Sequence, residues 1–172
     1  RSPCSGRLER MRPLTGPVLA LLVLVLDQLS KAAVLRALDP YQALSVTPFF
    51  DLVLVWNRGV SFGMFAGAGD HGPWLLMALA AAIATFLVVW LSRETRPVTR
   101  VALWLVLAGA VGNTIDRVRF GAVVDFLDFH LYGHHWPAFN VADSAIVVGA
   151  GLILLDSLVL SQAKTKLGRE QR

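Results

Sequence analysis

The chain has 172 residues, 55% hydrophobic and 16% charged, with a net charge of +4. Soluble domains carry about 25% charged residues and the mean hydropathy here is +0.58, so a water-soluble domain is excluded and one compact membrane unit is expected. The basic residues form short clusters between apolar runs, with no basic face interleaved with aromatics, which argues against nucleic acid as a partner.

Residues 1–10 read as an upstream extension or an expression remnant and are set apart from the fold. They hold the one cysteine, Cys4, which allows neither a disulfide framework nor a CxxC metal pattern. A membrane-spanning helix needs about 20 largely apolar residues. The first such stretch runs from about Pro17 to Leu38 and carries Asp27 and Lys31. It is too long for a cleaved signal peptide, lacks a small-residue cleavage site, and is followed by three more spans. Asp27 and Lys31 are four apart with the acid first, the better orientation for an ion pair on one helix face. A self-neutralising pair that fixes helix packing is the first reading; a direct part in chemistry is the second.

The outer connection that follows is more than a loop. Phe49–Trp56 (FFDLVLVW) is rich in β-formers and lies between Pro48 and the turn signal Asn57-Arg58-Gly59, with Val60–Phe65 beyond it. This predicts a short hairpin or small sheet over about residues 44–66, on the outer membrane surface. Its apolar content suits contact with lipid or a lipidic substrate, or a lid packed on the helix ends.

The second span, about Pro73 to Leu91, has no charge. The third covers about residues 101–116, where Gly109, Ala110 and Gly112 make a thin helix that allows close helix approach or leaves room for substrate. Asp116 sits at the unfavourable end of that helix dipole. Adjacent Arg117 and Asn113 one turn back suggest a polar network around it. A loop over about 117–139 carries Asp125 and Asp128 in an apolar context. A desolvated carboxyl there would have a raised pKa; an ordinary loop carboxylate is the alternative. The fourth span covers about 140–160. Asn140 is a good N-cap, and Asp143 at N3 resembles a capping box. Local physics does not separate cap from catalyst. Asp156 reads as interfacial, without a part in chemistry. His71, His130, His134 and His135 show no HExxH-type spacing, so no metal is expected.

Orientation follows from Lys and Arg in short connections. With four spans, the N-terminal tail, the 93–100 connection and the basic tail 161–172 share a face and hold 11 of the 16 basic residues. That face is cytoplasmic, both termini are inside, and the 39–72 and 116–140 connections face the periplasm. Trp74 and Trp136 fit the outer interface, Trp90 and Trp104 the inner one. The fold class is an all-α integral membrane protein of four transmembrane helices with a small periplasmic β element.

Two carboxyls a few ångströms apart share a proton. One then activates water and the other protonates a carbonyl oxygen and a leaving amine. Asp125 and Asp143 are the natural pair, since both fall at the outer membrane edge.

Five blocks carry a family resemblance: Asp27-Gln28-Leu29-Ser30-Lys31, Asn57-Arg58-Gly59-Val60-Ser61-Phe62-Gly63, Gly109 to Arg117, Val123-Val124-Asp125-Phe126 and Phe139 to Ser144. In this order, over about Leu21 to Leu155, the chain resembles the lipoprotein signal peptidases, the type II signal peptidases of bacteria. The resemblance implies a membrane aspartic endopeptidase of the inner membrane. It implies that Asp125 and Asp143 are the catalytic aspartates. Asn57, Gly59, Asn113, Asp116, Arg117 and Asn140 would line or support the site, with Asp27 and Lys31 as the polar pair of the first helix. The substrate would be a diacylglyceryl-modified prolipoprotein cut just before its lipidated cysteine. Globomycin-type inhibitors would bind there, no cofactor or metal would be needed, and a monomer is expected. The rivals are a small transporter or proton channel built on Asp27 and Lys31, and a scaffold whose acids only pair helices.

Overall fold

A computed structural model describes residues 14–40, 42–59 and 72–170. Four helices, α1 (Thr15–Ala37), α2 (Gly72–Arg93), α3 (Pro97–Phe120) and α4 (Val141–Glu170), alternate with four strands. The strands are β1 (Ala43–Thr47), β2 (Phe50–Asn57), β3 (Val123–Leu131) and β4 (His134–His135). Among the described residues α1, α3 and the Val141–Ser161 part of α4 are long and apolar enough to span a bilayer. α2 spans 22 residues whose sequence is free of charge until Arg93. Large apolar side chains point outward, such as Leu21 at 60% and Val147 at 71% exposure. That is the reverse of a soluble protein and the mark of a surface facing lipid.

The helices are held at short range by small residues. A Cβ on Gly109 would meet the backbone oxygen of Ala142, and one on Gly149 would lie 2.7 Å from the Ala102 oxygen, so α3 and α4 approach with backbones almost touching. α2 packs on α3 through Leu87, Leu91, Leu103 and Leu107. At the end away from the sheet, Glu94 anchors the α2–α3 connection. Arg96 donates to it from Nε at 3.1 Å, and this pairing holds the Glu94 carboxyl down at about 2. Asp156 of α4 accepts from Thr99 Oγ1 at 2.6 Å and lies 3.1 Å from Arg96 Nη1. It therefore clamps helix ends together.

The sheet is antiparallel in the order β1-β2-β3-β4. Leu54, Val124 and Phe126 pack against Val34 and Leu38 at the end of α1. Strand residues alternate between faces, so Asp125, between Val124 and Phe126, points the other way, toward the head of α4.

Several boundaries differ from expectation. α3 is longer than 101–116 because Pro97 fits the first helical turn and Gly121, in the left-handed region at φ 71°, ends the helix. Arg117 and Arg119 lie in the last turn and suit the negative end of the helix dipole. α4 runs beyond residue 160 to Glu170. Residues 117–139, expected as a loop, hold β3 and β4; the two acids masked a run of β-formers. β2 pairs with β1 and with this distant β3. The expected neighbour Val60–Phe65, His71 and residues 1–10 fall outside the described residues, as does the side chain of Trp74.

Candidate active site

Five elements bring buried polar groups to one point, where the sheet-side ends of α1, α3 and α4 meet β2 and β3. Asp27, Lys31, Asn113, Asp116, Asp125 and Asn140 are all buried. Such groups are tolerated in an apolar setting only when each finds partners.

Lys31 is the hub. Its ammonium donates to Asp27 Oδ2 at 2.9 Å and Asn113 Oδ1 at 3.2 Å, and pairs with Asp116 Oδ2 at 2.7 Å. Three donors meet three acceptors. Asp27 Oδ1 also accepts from Ala142 N at 2.9 Å, so a residue of α1 satisfies an orphan N–H in the first turn of α4. Asp116 Oδ2 accepts from Val124 N at 3.2 Å, which pins β3 to α3. Gly112 makes this possible, because a Cβ there would lie 2.6 Å from Asp27 Oδ2.

Around this hub stand two further carboxyls. Asn113 Oδ1 faces Lys31, so its Nδ2 is turned to Asp143 Oδ1 at 2.7 Å. Asn140 joins the pair. Its Nδ2 donates to Asp125 Oδ1 at 2.7 Å, its Oδ1 accepts from Asp143 N at 2.9 Å, and its own N–H donates to Asp143 Oδ2 at 3.2 Å. That reciprocal arrangement is the expected capping box, and it also links the two carboxyls through one side chain. Asn57 pairs with Val123 in the ladder, which places it diagonal to Asp125 on the same face. Its Nδ2 donates to Asp125 Oδ2 at 2.9 Å, and its Oδ1 accepts from Gly59 N at 2.9 Å. Gly59, at φ 78°, gives the turn that presents this N–H.

Burial pushes the Asp125 carboxyl up to about 6; the Asn57 hydrogen bond opposes this and the charge of Asp143 adds to it. Asp125 is thus a carboxyl whose proton is held toward the neutral range. If kcat/KM needs that proton, it falls as pH rises through the Asp125 ionisation. Asn57→Ala removes a hydrogen bond to the ionised form and is expected to move this alkaline limb to higher pH. A profile of kcat/KM over about pH 5 to 9 checks it, and a limb that stays put or moves down contradicts it.

The expected residues therefore converge, with two changes of partner. Arg117 is not the counter-charge of Asp116: its Nη1 donates to Asn113 O at 3.3 Å, and Lys31 fills that place. Lys31 accordingly does more than neutralise Asp27. Sequence reasoning missed Gln28, whose Nε2 bridges Asp27 Oδ2 and Asp116 Oδ1, each at 3.1 Å. Its signal was its place beside Asp27 in the first block. Asp128 is held apart, bonded to His135 Nδ1 at 2.8 Å.

Comparison with known proteins gives a consistent picture. The family model described as Signal peptidase (SPase) II matches residues 19–159. The lipoprotein signal peptidase of Syntrophotalea carbinolica is 50% identical over 142 residues, covering 80% of this chain and 87% of that protein. That of Ralstonia nicotianae is 48% identical over 146 residues, covering 83% and 84%. Two solved structures of a bacterial membrane enzyme are similar at 31% and 29% identity. Their TM-scores are 0.76 and 0.78; they cover 84% and 87% of this chain, and the matches span 92% and 91% of theirs.

Proposed function

Because the chain belongs to the signal peptidase II family, we propose that Asp125 and Asp143 are the carboxyls with which it cuts its substrate. It is a membrane aspartic peptidase that processes lipoprotein signal peptides, and a multi-pass protein of the inner membrane. The observation that carries the assignment of the pair is Asn140, which bonds both carboxyls at once.

In the proposed step Asp143, as carboxylate, takes a proton from water as the water oxygen bonds to the scissile carbonyl carbon. Asp125, as carboxylic acid, gives its proton to the carbonyl oxygen. In collapse, the C–N bond breaks, the nitrogen takes the proton from Asp143, and Asp125 recovers one from the diol. The dyad ends as it began. Asn57 and Asn113 orient the two carboxyls, and Lys31, Asp27, Asp116, Gln28 and Arg117 hold the helix ends that carry them. The transporter reading loses its basis here, since the Asp27–Lys31 pair is closed on Asn113 and Asp116.

The substrate is a diacylglyceryl-modified prolipoprotein, cut just before the lipidated cysteine, and globomycin-type inhibitors compete for the same place. A dyad at the outer ends of the helices suits a peptide bond held at the bilayer surface by its own lipid. Both termini lie in the cytoplasm, the dyad lies near the periplasmic face, and the working unit is a monomer. The test is purified enzyme in detergent with a prolipoprotein, with and without the diacylglyceryl group. Cleavage of the modified form alone, blocked by globomycin, is the expected mass shift; equal cleavage of both forms overturns the lipid requirement.

A further inference from the structure

α3 has two unlike faces. Gly109, Gly112 and Asn113 turn to α1 and α4. The opposite face meets α2, and that contact changes along its length. In the half away from the sheet, Leu87 and Leu91 of α2 close on Leu103 and Leu107. In the sheet-side half, Ala81 and Ala84 stand across from Ala110, Thr114 and Val118, and side chains this small leave the helices apart. The result is a groove of about 410 Å3 whose lining also includes Arg119.

The walls offer hydrocarbon. Their one hydroxyl, Thr114 Oγ1, is already bonded to Ala110 O at 2.7 Å, so water would find no partners there. From Ala110 to Arg119 the helix rises about 13 Å, close to the depth of one leaflet's hydrocarbon, about 15 Å. Arg119 stands at the end where a lipid headgroup would lie, in the last turn of α3. Its guanidinium is 4.9 Å from the Phe120 ring centroid, a contact that holds the group and leaves its five N–H donors unused. Among the described residues no carboxylate or carbonyl accepts from it, whereas Arg117 donates to Asn113 O. A guanidinium fits a phosphate with two parallel N–H bonds.

We propose that the α2–α3 groove holds an acyl chain of an anionic phospholipid, whose phosphate pairs with Arg119. Charge decides between the lipids at hand. The diacylglyceryl group of the proposed substrate has no phosphate and gives Arg119 nothing to pair with, and a zwitterionic headgroup brings a cation of its own. The groove lies on the side of α3 turned from the dyad, so the bound lipid is a structural ligand. It fills the space between α2 and α3 and joins the halves of these helices that the leucine contacts do not reach.

The test uses the full chain in detergent, stripped of lipid and titrated with phosphatidylglycerol, phosphatidylcholine or diacylglycerol, with Tm and native mass spectrometry as readouts. One phosphatidylglycerol per chain and a saturable rise in Tm are expected, with the other two lipids bound at least about fivefold more weakly. Arg119→Gln is expected to remove this preference. Ala84→Leu, which fills the groove, is expected to weaken binding of all three. Arg93→Gln, at the far end of α2, is expected to bind as the wild type does. Should Ala84→Leu lose its monodisperse state, Arg119→Gln decides, since that side chain is exposed and the fold does not rest on it. Equal binding of the three lipids by the wild type overturns the proposal. So does a preference that survives Arg119→Gln, that falls as far in Arg93→Gln, or that a folded Ala84→Leu keeps at full strength.

Discussion

Asp125→Asn and Asp143→Asn are each expected to lower kcat for cleavage of a lipid-modified prolipoprotein by at least about a hundred- to ten-thousandfold, with the folded state kept. The size follows from the proposed step, in which each carboxyl handles a proton in the transition state and an amide can neither take nor give one. Folding survives for a local reason. Asparagine keeps one carbonyl oxygen, and at Asp143 that oxygen can still accept from the Asn140 N–H that closes the cap, now 3.2 Å away. The measurement is single-turnover cleavage read by mass, with monodispersity and Tm recorded for each variant. Cleavage by Asp143→Asn at the wild-type rate would reduce that residue to a helix cap and leave Asp125 without its partner.

Lys31→Met gives the largest expected loss of stability. Lys31 is 2% exposed and is, among the described residues, the one cation that Asp27 and Asp116 touch. Methionine fills similar space but leaves two carboxylates buried without a counter-charge, a loss of about 3–5 kcal/mol. For a chain with total stability of about 5–15 kcal/mol, that removes much of the margin. The cost has a signature that separates charge from packing. Wild type carries a local charge of −1 on these three side chains, Lys31→Met makes it −2, and adding Asp116→Asn returns it to −1. The double variant is therefore expected to regain part of the Tm that the single variant loses. A double variant less stable than Lys31→Met would mean that hydrogen bonds of Asp116, such as the one from Val124 N, outweigh its charge.

Much of the frame was legible in the sequence because its signals are local. Apolar runs mark the spans, Asn140 and Asp143 mark a cap whose partners are three residues apart, and Asp27 and Lys31 mark one helix face. The site's support was harder to read because its partners are remote. Lys31 and Asp116 meet only after α1 packs on α3, and neither helix shows this in its own periodicity. Arg117 was credited with that pairing since adjacency was the only distance the sequence offered. β3 was hidden for another reason. Asp125 and Asp128 interrupt its β-formers, and strand pairing with β2 across α2 and α3 is a property of register, which composition does not carry. Gln28 stood inside a recognised block and was passed over because a neutral amide raises no question of charge in a membrane.

The alternation of Val124, Asp125 and Phe126 across the sheet has a consequence for how such a protein can change over generations. A strand that alternates sides tolerates exchange of one apolar residue for another, but not a change in the number of residues between its anchors. The Asp116 bond to Val124 N is one anchor and the pairing of β3 with Asn57 is the other. A codon gained or lost between Gly121 and Asp125 would turn the acid into the apolar packing of α1 and set a valine before the substrate. Lineages can therefore respell this segment freely and lengthen it hardly at all, whereas the β3–β4 turn at Tyr132-Gly133, beyond both anchors, is free to grow.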